Sequence, residues 1–405
     1  MQRYRYVRVS SLLFYSALIC IALYALTEDV GISISGFPDY RRNILFLAML
    51  FLIPRALLHL KKLISIKYLL IICIGIAFFI FLMHSANISS IGYYSKYVTT
   101  ELILFFIAVF LLIIDTVETK RINEVIKVFF WIILLLVIIN DSLIFMGIKF
   151  TDGVFETYLI GTKFSVAYLH IYLLAFYLLR KKAEFRFYKR HIVLLVLFVV
   201  AVIGLSLRVD CNTGMLGCML FVVIIILFNT FPNKFLRIFT NPMVLLCCFV
   251  GSALIAFGFE TLMNSPVVEH IVVDILHRQT NLTGRTEIFA LFIIRMTGHW
   301  MWGYGYGSAY TTSMELFGYA DAQNAILQWI LQVGILSTIC MIVIWAFSFK
   351  GLSKQKNIIE IMPLIALVYV FIILGTVEIT FNMSFILWIG LIYMWVLQQK
   401  KENKR

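Results

Sequence analysis

Apolar runs long enough to cross a bilayer recur from one end of this chain to the other, and they leave little room for any fold but a bundle of membrane-spanning helices. Twelve such runs fall at roughly 10–27, 43–60, 68–84, 98–115, 126–147, 163–179, 191–207, 213–231, 242–259, 322–349, 361–378 and 383–398. They are continuous rather than alternating, which excludes a β-barrel. With 62% hydrophobic and only 14% charged residues, the chain lies far outside the range of soluble domains. The expected fold is therefore all-α: one polytopic membrane domain over residues 1–405.

Charge sets the expected orientation. The net charge of +13 invites a nucleic-acid reading, but the basic residues sit in short clusters between apolar runs. With the N-terminus in the cytoplasm and the runs alternating, 25 of the 34 lysines and arginines fall on the inner side. The reverse orientation inverts that ratio, so both termini are expected inside. Nine cations break the rule: Arg41, Arg42, Lys96, Lys149, Lys163, Arg208, Arg278, Arg285 and Arg295. Arg41 and Arg42 sit beside Asp39 and read as caps of a span. Arg208 stands out, because the next run begins only about five residues later, at Thr213. A cation held in so tight a turn is expected to face a cavity or a partner. The seven cysteines show no disulfide or zinc spacing, and most lie inside apolar runs as small hydrophobes.

The longest interruption, residues 260–320, carries polar signals in order. Ser265-Pro266 starts an expected amphipathic helix, with Val267, Val268, Ile271, Val272 and Ile275 on its apolar stripe. His270, Asp274 and His277 fall on the other side, read as a solvated face in preference to a metal site. A second piece, from about Thr286 to His299, is apolar but too short to span, and is expected to lie flat or to dip in and return. Gly303-Tyr304-Gly305-Tyr306-Gly307-Ser308 follows, either a plain turn or a backbone shaped for a site.

Asp321 is expected to cap the next span, with Gln323 and Asn324 in its first turn. Asn324, Gln328 and Gln332 share a stripe at i, i+4 and i+8. Gln328 and Gln332 suit interhelical hydrogen bonds and ligand contact equally. The spans from 213 and 322 both begin at the outer face, as do Arg208 and Arg285. Free amide groups, helix dipoles and planar guanidinium forks together suit a pyrophosphate.

The order Gly284-Arg285-Thr286-Glu287-Ile288-Phe289, then Gly303-Tyr304-Gly305-Tyr306-Gly307-Ser308, then Asn324-Ala325-Ile326-Leu327-Gln328 and Gly334 resembles the O-antigen polymerase and ligase superfamily of polytopic bacterial glycosyltransferases. The twelve-span layout with one large late loop is similar as well, and so is Ser206-Leu207-Arg208 followed by Thr213-Gly214. The resemblance covers residues 190–350; the first half is alike only in layout. One departure matters. Where the family commonly has His before Asn, this chain has Gln323, which cannot act as a general base near neutral pH. The histidine is more characteristic of ligases, so the polymerase branch is favoured.

What the resemblance implies is a multi-pass protein of the bacterial cytoplasmic (inner) membrane with its active site on the extracytoplasmic side. It would transfer a glycan from undecaprenyl pyrophosphate to the next lipid-linked repeat unit of an O-antigen, capsule or exopolysaccharide. No metal or cofactor is implied; flippase and chain-length-regulator proteins are the implied partners. Arg208 and Arg285 would neutralise the leaving pyrophosphate. Glu287 and Asp210 are candidates to activate the acceptor hydroxyl, against the competing reading that each pairs with its neighbouring arginine. Gln323, Asn324, Gln328, Tyr304, Tyr306, Lys163 and Glu378 complete the implied substrate-binding set. The rival readings are an O-antigen ligase, a lipid-linked oligosaccharide flippase or transporter, and a structural membrane subunit. Against a transporter, no segment in the first half mirrors the late loop.

Overall fold

The computed structural model describes residues 2–30, 34, 36–59, 66–151, 156–181, 189–258, 265, 284–355 and 357–403. The amphipathic helix expected from Ser265, with His270, Asp274 and His277, lies outside the described residues beyond Ser265 itself.

Each of the twelve apolar runs is a helix. In chain order these are α1 (Gln2–Leu26), α2 (Phe37–Leu58), α3 (Ile66–Ile88), α4 (Tyr93–Thr119), α5 (Ile122–Phe145), α6 (Lys163–Lys181), α7 (Lys189–Arg208), α8 (Asn212–Thr230), α10 (Pro242–Phe257), α13 (Ala325–Ser348), α14 (Met362–Leu374) and α15 (Met383–Glu402). Shorter helices α9 (Pro232–Phe239), α11 (Arg285–Arg295) and α12 (Ala309–Phe317) lie between them. A small antiparallel hairpin pairs β1 (Phe150–Thr151) with β2 (Glu156–Thr157). The protein is thus an all-α membrane protein apart from that hairpin. The helices over Tyr68–Ile88, Tyr93–Thr119, Ile122–Phe145, Asn212–Thr230 and Ala325–Lys354 are each long and apolar enough to cross a membrane, and shorter apolar helices accompany them. A helix is the form such sequences must take, since hydrocarbon offers no partner for a free amide.

Helices α14 and α15 form the centre. Nearly every residue of both is buried, as expected for a helix that is apolar all round. Trp388 of α15 packs among Phe129, Tyr172 and Phe176, with ring centroids at 5.6, 5.1 and 4.9 Å. Large apolar side chains such as Leu50, Leu57, Ile76, Val200 and Leu254 point outward, the surface that lipid would cover. At the end of the bundle where α2 finishes, Arg55 forks onto Asp115 of α4, with Nη2 2.8 Å from Oδ1, and both are buried. A buried guanidinium is held by bidentate pairing of this kind.

Helix α13 is broken. Gly334 takes φ 72° and ψ 176°, in the middle of an otherwise helical run. At 1.5 Å per residue the break lies about 15 Å below the start of the helix. The residues after α11 fill it. Tyr304 N–H donates to Leu331 O at 2.9 Å, Gly305 N–H to Gln332 O at 2.7 Å, and Ile335 N–H to Trp300 O at 2.8 Å. The glycine segment that follows the piece expected to lie flat or dip in therefore closes against α13. Ser89 and Ser95 hold its other edge by donating to Tyr304 O and Tyr306 O at 2.6 and 2.8 Å. Only glycine fits at several points of this joint, Gly334 and Gly305 among them. A side chain at Gly334 would meet Met301 O at 2.2 Å, and one at Gly305 would meet Ser89 Oγ at 2.2 Å.

Two boundaries differ from the sequence expectation. The span expected over 361–378 stops at Leu374, and Thr376–Glu378 turn away from it. The carbonyls just past the end of α14 are drawn to other elements: Gly375 O accepts from Ala325 N–H at 2.8 Å and Thr376 O from Asn324 Nδ2 at 3.2 Å. The cap of α13 is Asn324 rather than Asp321. Its Oδ1 accepts from Ile326 N–H and Leu327 N–H, both at 3.0 Å. Asp321 instead accepts from Gln323 N–H at 2.8 Å in a local turn that places Gln323 at φ 51°.

Candidate functional site

The turn between α14 and α15 gathers the starts of three other helices. Helix α13 is tied to it through Asn324. Helix α8 reaches it through Thr213, whose Oγ1 donates to Glu378 Oε1 at 3.3 Å. Helix α11 brings Arg285, the first residue after the left-handed Gly284. Arg285 Nε and Nη2 donate to Val377 O at 3.1 and 2.8 Å, and Nη2 donates to Glu378 Oε1 at 2.9 Å. Both side chains of this pair are 11% exposed.

The electrostatics are uneven. Burial pushes the Glu378 carboxyl up to about 7; Arg285 pulls it back, while Asp321 pushes the same way as burial. Asp321 is also raised by burial, with Gln323 and Arg285 opposing. Two carboxyls thus share the field of Arg285, and Lys163 adds a weaker favourable charge to Glu378. A carboxyl that exchanges its proton near neutral pH, beside a fixed cation, can accept a proton and leave the cation free for another anion.

The other expected residues divide. Lys163, at the start of α6, lies 3.6 Å from Asp210, which takes φ 51° and is largely exposed. Asp210 thus pairs with Lys163 across the chain and not with its neighbour Arg208. Arg208 is exposed, with Nη2 3.4 Å from Ile144 O and its guanidinium 5.3 Å over the Phe145 ring. Its contacts are with the end of α5, whereas those of Arg285 are with the α14–α15 turn, so the two arginines meet different elements. Glu287 points to solvent and accepts from Tyr319 Oη at 2.9 Å. It faces away from Arg285 because residues two apart on a helix point to nearly opposite sides.

The amides serve the architecture. Asn324 is fully buried, its Nδ2 donating to Ser252 O at 2.9 Å as well as to Thr376 O. Gln328 Oε1 accepts from Ala322 N–H at 2.8 Å, and Gln332 Oε1 from Gly307 N–H at 2.9 Å. Tyr304 donates to Arg295 O at 2.8 Å and stacks on His299 with ring centroids 4.0 Å apart. Tyr306 lies against Trp329 and within electrostatic reach of Glu28, Arg41 and Glu101.

That last group is what the sequence reading missed. Arg41 does not cap its span with Asp39; Arg42 does, at 3.3 Å. Arg41 turns inward, donates from Nε to Tyr24 O at 3.0 Å and lies 4.1 Å over the Tyr24 ring. Tyr24 Oη in turn donates to Glu101 at 2.8 Å. Glu28 accepts from Met383 N–H at 2.7 Å, and Asp29 accepts from Ser165 Oγ. Burial raises both of these carboxyls. Ser165 and Lys163 share the first turn of α6, so the two polar groups flank one helix start. The available signal was Glu28-Asp29 placed directly after an apolar run, a costly position for two acids unless a cation lies close. Among the described residues, no group of three or more His, Cys, Asp or Glu is arranged to hold a metal ion.

No protein-family model, curated protein or solved structure matches the chain.

Proposed function

We propose that this protein is a polysaccharide polymerase of the bacterial cytoplasmic membrane, with twelve spans, cytoplasmic termini and its site on the extracytoplasmic side. It joins a glycan carried on undecaprenyl pyrophosphate to the next lipid-linked repeat unit. The motif order read from the sequence motivates the substrate class. The observation that carries the reading is the buried Arg285–Glu378 pair where α8 and α13 begin.

In this reading Glu378 takes the role first given to Glu287 or Asp210. The acceptor hydroxyl oxygen attacks the anomeric carbon of the donor sugar, and its proton passes to Glu378. The bond from the anomeric carbon to the phosphate oxygen breaks, and its electron pair leaves on undecaprenyl pyrophosphate. Protonation cancels the negative charge of Glu378. That releases Arg285 from its partner when the departing phosphate gains charge, so the interaction strengthens in the transition state. A base with a proton affinity near neutrality suits this exchange. Lys163 supports the same field. Arg208 has no part in the step, since its contacts lie at the end of α5.

The test is direct. Purified protein supplied with lipid-linked repeat units should yield a ladder of longer glycans. Arg285→Ala and Glu378→Gln should each remove the ladder while the protein remains folded. A normal ladder in both variants sinks the assignment. Unchanged glycan length with movement of the lipid across the bilayer would instead identify a flippase.

A further inference from the structure

A second polar opening lies at the same end of the bundle, between α2 and α4. This cleft of about 310 Å³ is lined by Arg42, Phe46, Tyr93, Lys96, Tyr97 and Glu101, among others. Arg42 lies 5.0 Å over the Tyr97 ring, and its partner Asp39 is 74% exposed. Lys96 is exposed, and among the described residues its ammonium has no hydrogen bond or ion pair. Glu101 forms the inner wall and is engaged by the Tyr24 hydroxyl at 2.8 Å.

The lining changes character with depth. Arg42 and Lys96 sit in the opening turns of α2 and α4, with Tyr93 and Tyr97 beside them. That is the level where aromatic and cationic side chains meet lipid headgroups. Leu104 lines the cleft about 12 Å further along α4, at 1.5 Å per residue, and Leu45 and Phe46 face it from α2. The cleft is therefore cationic where headgroups lie and apolar where chains lie. An ion pair exposed to water is weak, so Arg42 can exchange Asp39 for a stronger anion. Guanidinium and ammonium together are the usual partners of a phosphate.

We infer that this cleft holds the phosphate head of a membrane lipid, at a site separate from Arg285. A polymerase that joins two lipid-linked glycans needs two such places, because the acceptor keeps its lipid pyrophosphate while the donor glycan is released from its own. That this lipid is the polyprenyl-linked acceptor rests on the polymerase reading; the headgroup chemistry does not. Behind the cleft, Glu101, Tyr24 and Arg41 lead toward Tyr306 and the start of α6, and so toward Glu378.

The experiment is native mass spectrometry of the full-length protein in detergent, offered undecaprenyl phosphate, phosphatidylglycerol or uncharged diacylglycerol. The wild type should retain undecaprenyl phosphate over diacylglycerol. Arg42→Gln combined with Lys96→Gln should weaken that retention about tenfold, and Arg42→Lys should largely keep it. Arg285→Gln should remove at most the donor-site copy and leave the copy that depends on Arg42 and Lys96, which separates failure here from failure of the catalytic assignment. Equal retention by the wild type and the double variant, both folded by circular dichroism, overturns the site. Equal retention of phosphatidylglycerol by the wild type overturns the acceptor assignment and leaves a phosphate site for bulk lipid.

Discussion

Helix α13 has two polar regions, and they are built in opposite ways. At its break, around Gly334, the exposed amides and carbonyls are met by Trp300, Tyr304 and Gly305, and the nearby side chains of Ser85 and Gln332 are engaged as well. At its start, around Glu378, two carboxyls compete for one guanidinium and both hold protons more tightly than usual. A region whose polar groups are matched is a joint. A region with a charge conflict held in place by its surroundings is where chemistry is to be sought. Motif residues that look alike in the sequence separate on this criterion: the glycines and amides belong to the joint, and Arg285 belongs to the conflict.

The largest effect is expected at the joint. Gly334→Ala forces a side chain against Met301 O and a left-handed backbone onto alanine, so a loss of about 3 kcal/mol or more is expected. Thermal unfolding of the detergent-solubilised variant reads it; wild-type behaviour would mean that the segment before α12 is not packed against the break. At the start of the helix, Glu378→Gln should lower glycan elongation about 100-fold or more with little change in unfolding temperature. If both fall together, the pair is a structural lock and the contrast fails.

Asn324→Ala tests a residue that belongs to the joint by function though it sits beside the conflict. It removes a cap and two buried side-chain bonds, and about 2 kcal/mol of stability should go with them. The charge conflict also carries a pH signature. Glu378 titrates near 7 in the folded protein against 4.5 as a free side chain, so the native state binds more protons across that window. Its contribution to stability therefore declines as pH rises from about 4.5 to 7, and Asp321 acts in the same direction. Glu378→Gln should flatten that slope; an unchanged slope would remove the raised carboxyl from the argument. Elongation, by contrast, should rise as pH passes through 7 and the base ionises. The smallest effect is expected at Arg208, where Arg208→Gln should change elongation less than about threefold, since its contacts are with Ile144 and Phe145.

The helices were legible because the apolar runs are continuous and hydrocarbon permits only one backbone solution. The joint was half legible. Alternating glycines signalled unusual backbone, but the partner of that backbone was a helix break, and Gly334 inside an apolar run carries no mark of it. The stripe of Asn324, Gln328 and Gln332 is interior, yet Asn324 and Gln332 meet backbone groups from distant segments and Gln328 meets Ala322 just before its own helix. Spacing within one helix does not encode such a partner. The conflict was less legible. The sequence marks Arg285, but it points to Glu287 and Asp210 ahead of Glu378, because they lie close to an arginine along the chain. Helical geometry turned Glu287 to solvent, and a left-handed turn carried Asp210 to Lys163. Asp39, two residues before Arg41, suggests a local cap for both arginines, but Arg42 takes it alone.

The break in α13 also bears on how the chain assembles. A straight α13 would use Leu331 O and Ile335 N–H within itself and offer nothing to the glycine segment, whose other edge is held by serines near the junction of α3 and α4. Segments from the first quarter of the chain and from the last third must therefore be side by side before either the segment or the helix reaches its final form. The last third cannot mature on its own as it leaves the ribosome. The joint makes completion of the segment between α11 and α12 conditional on a bundle that has already packed α3 and α4 beside α13.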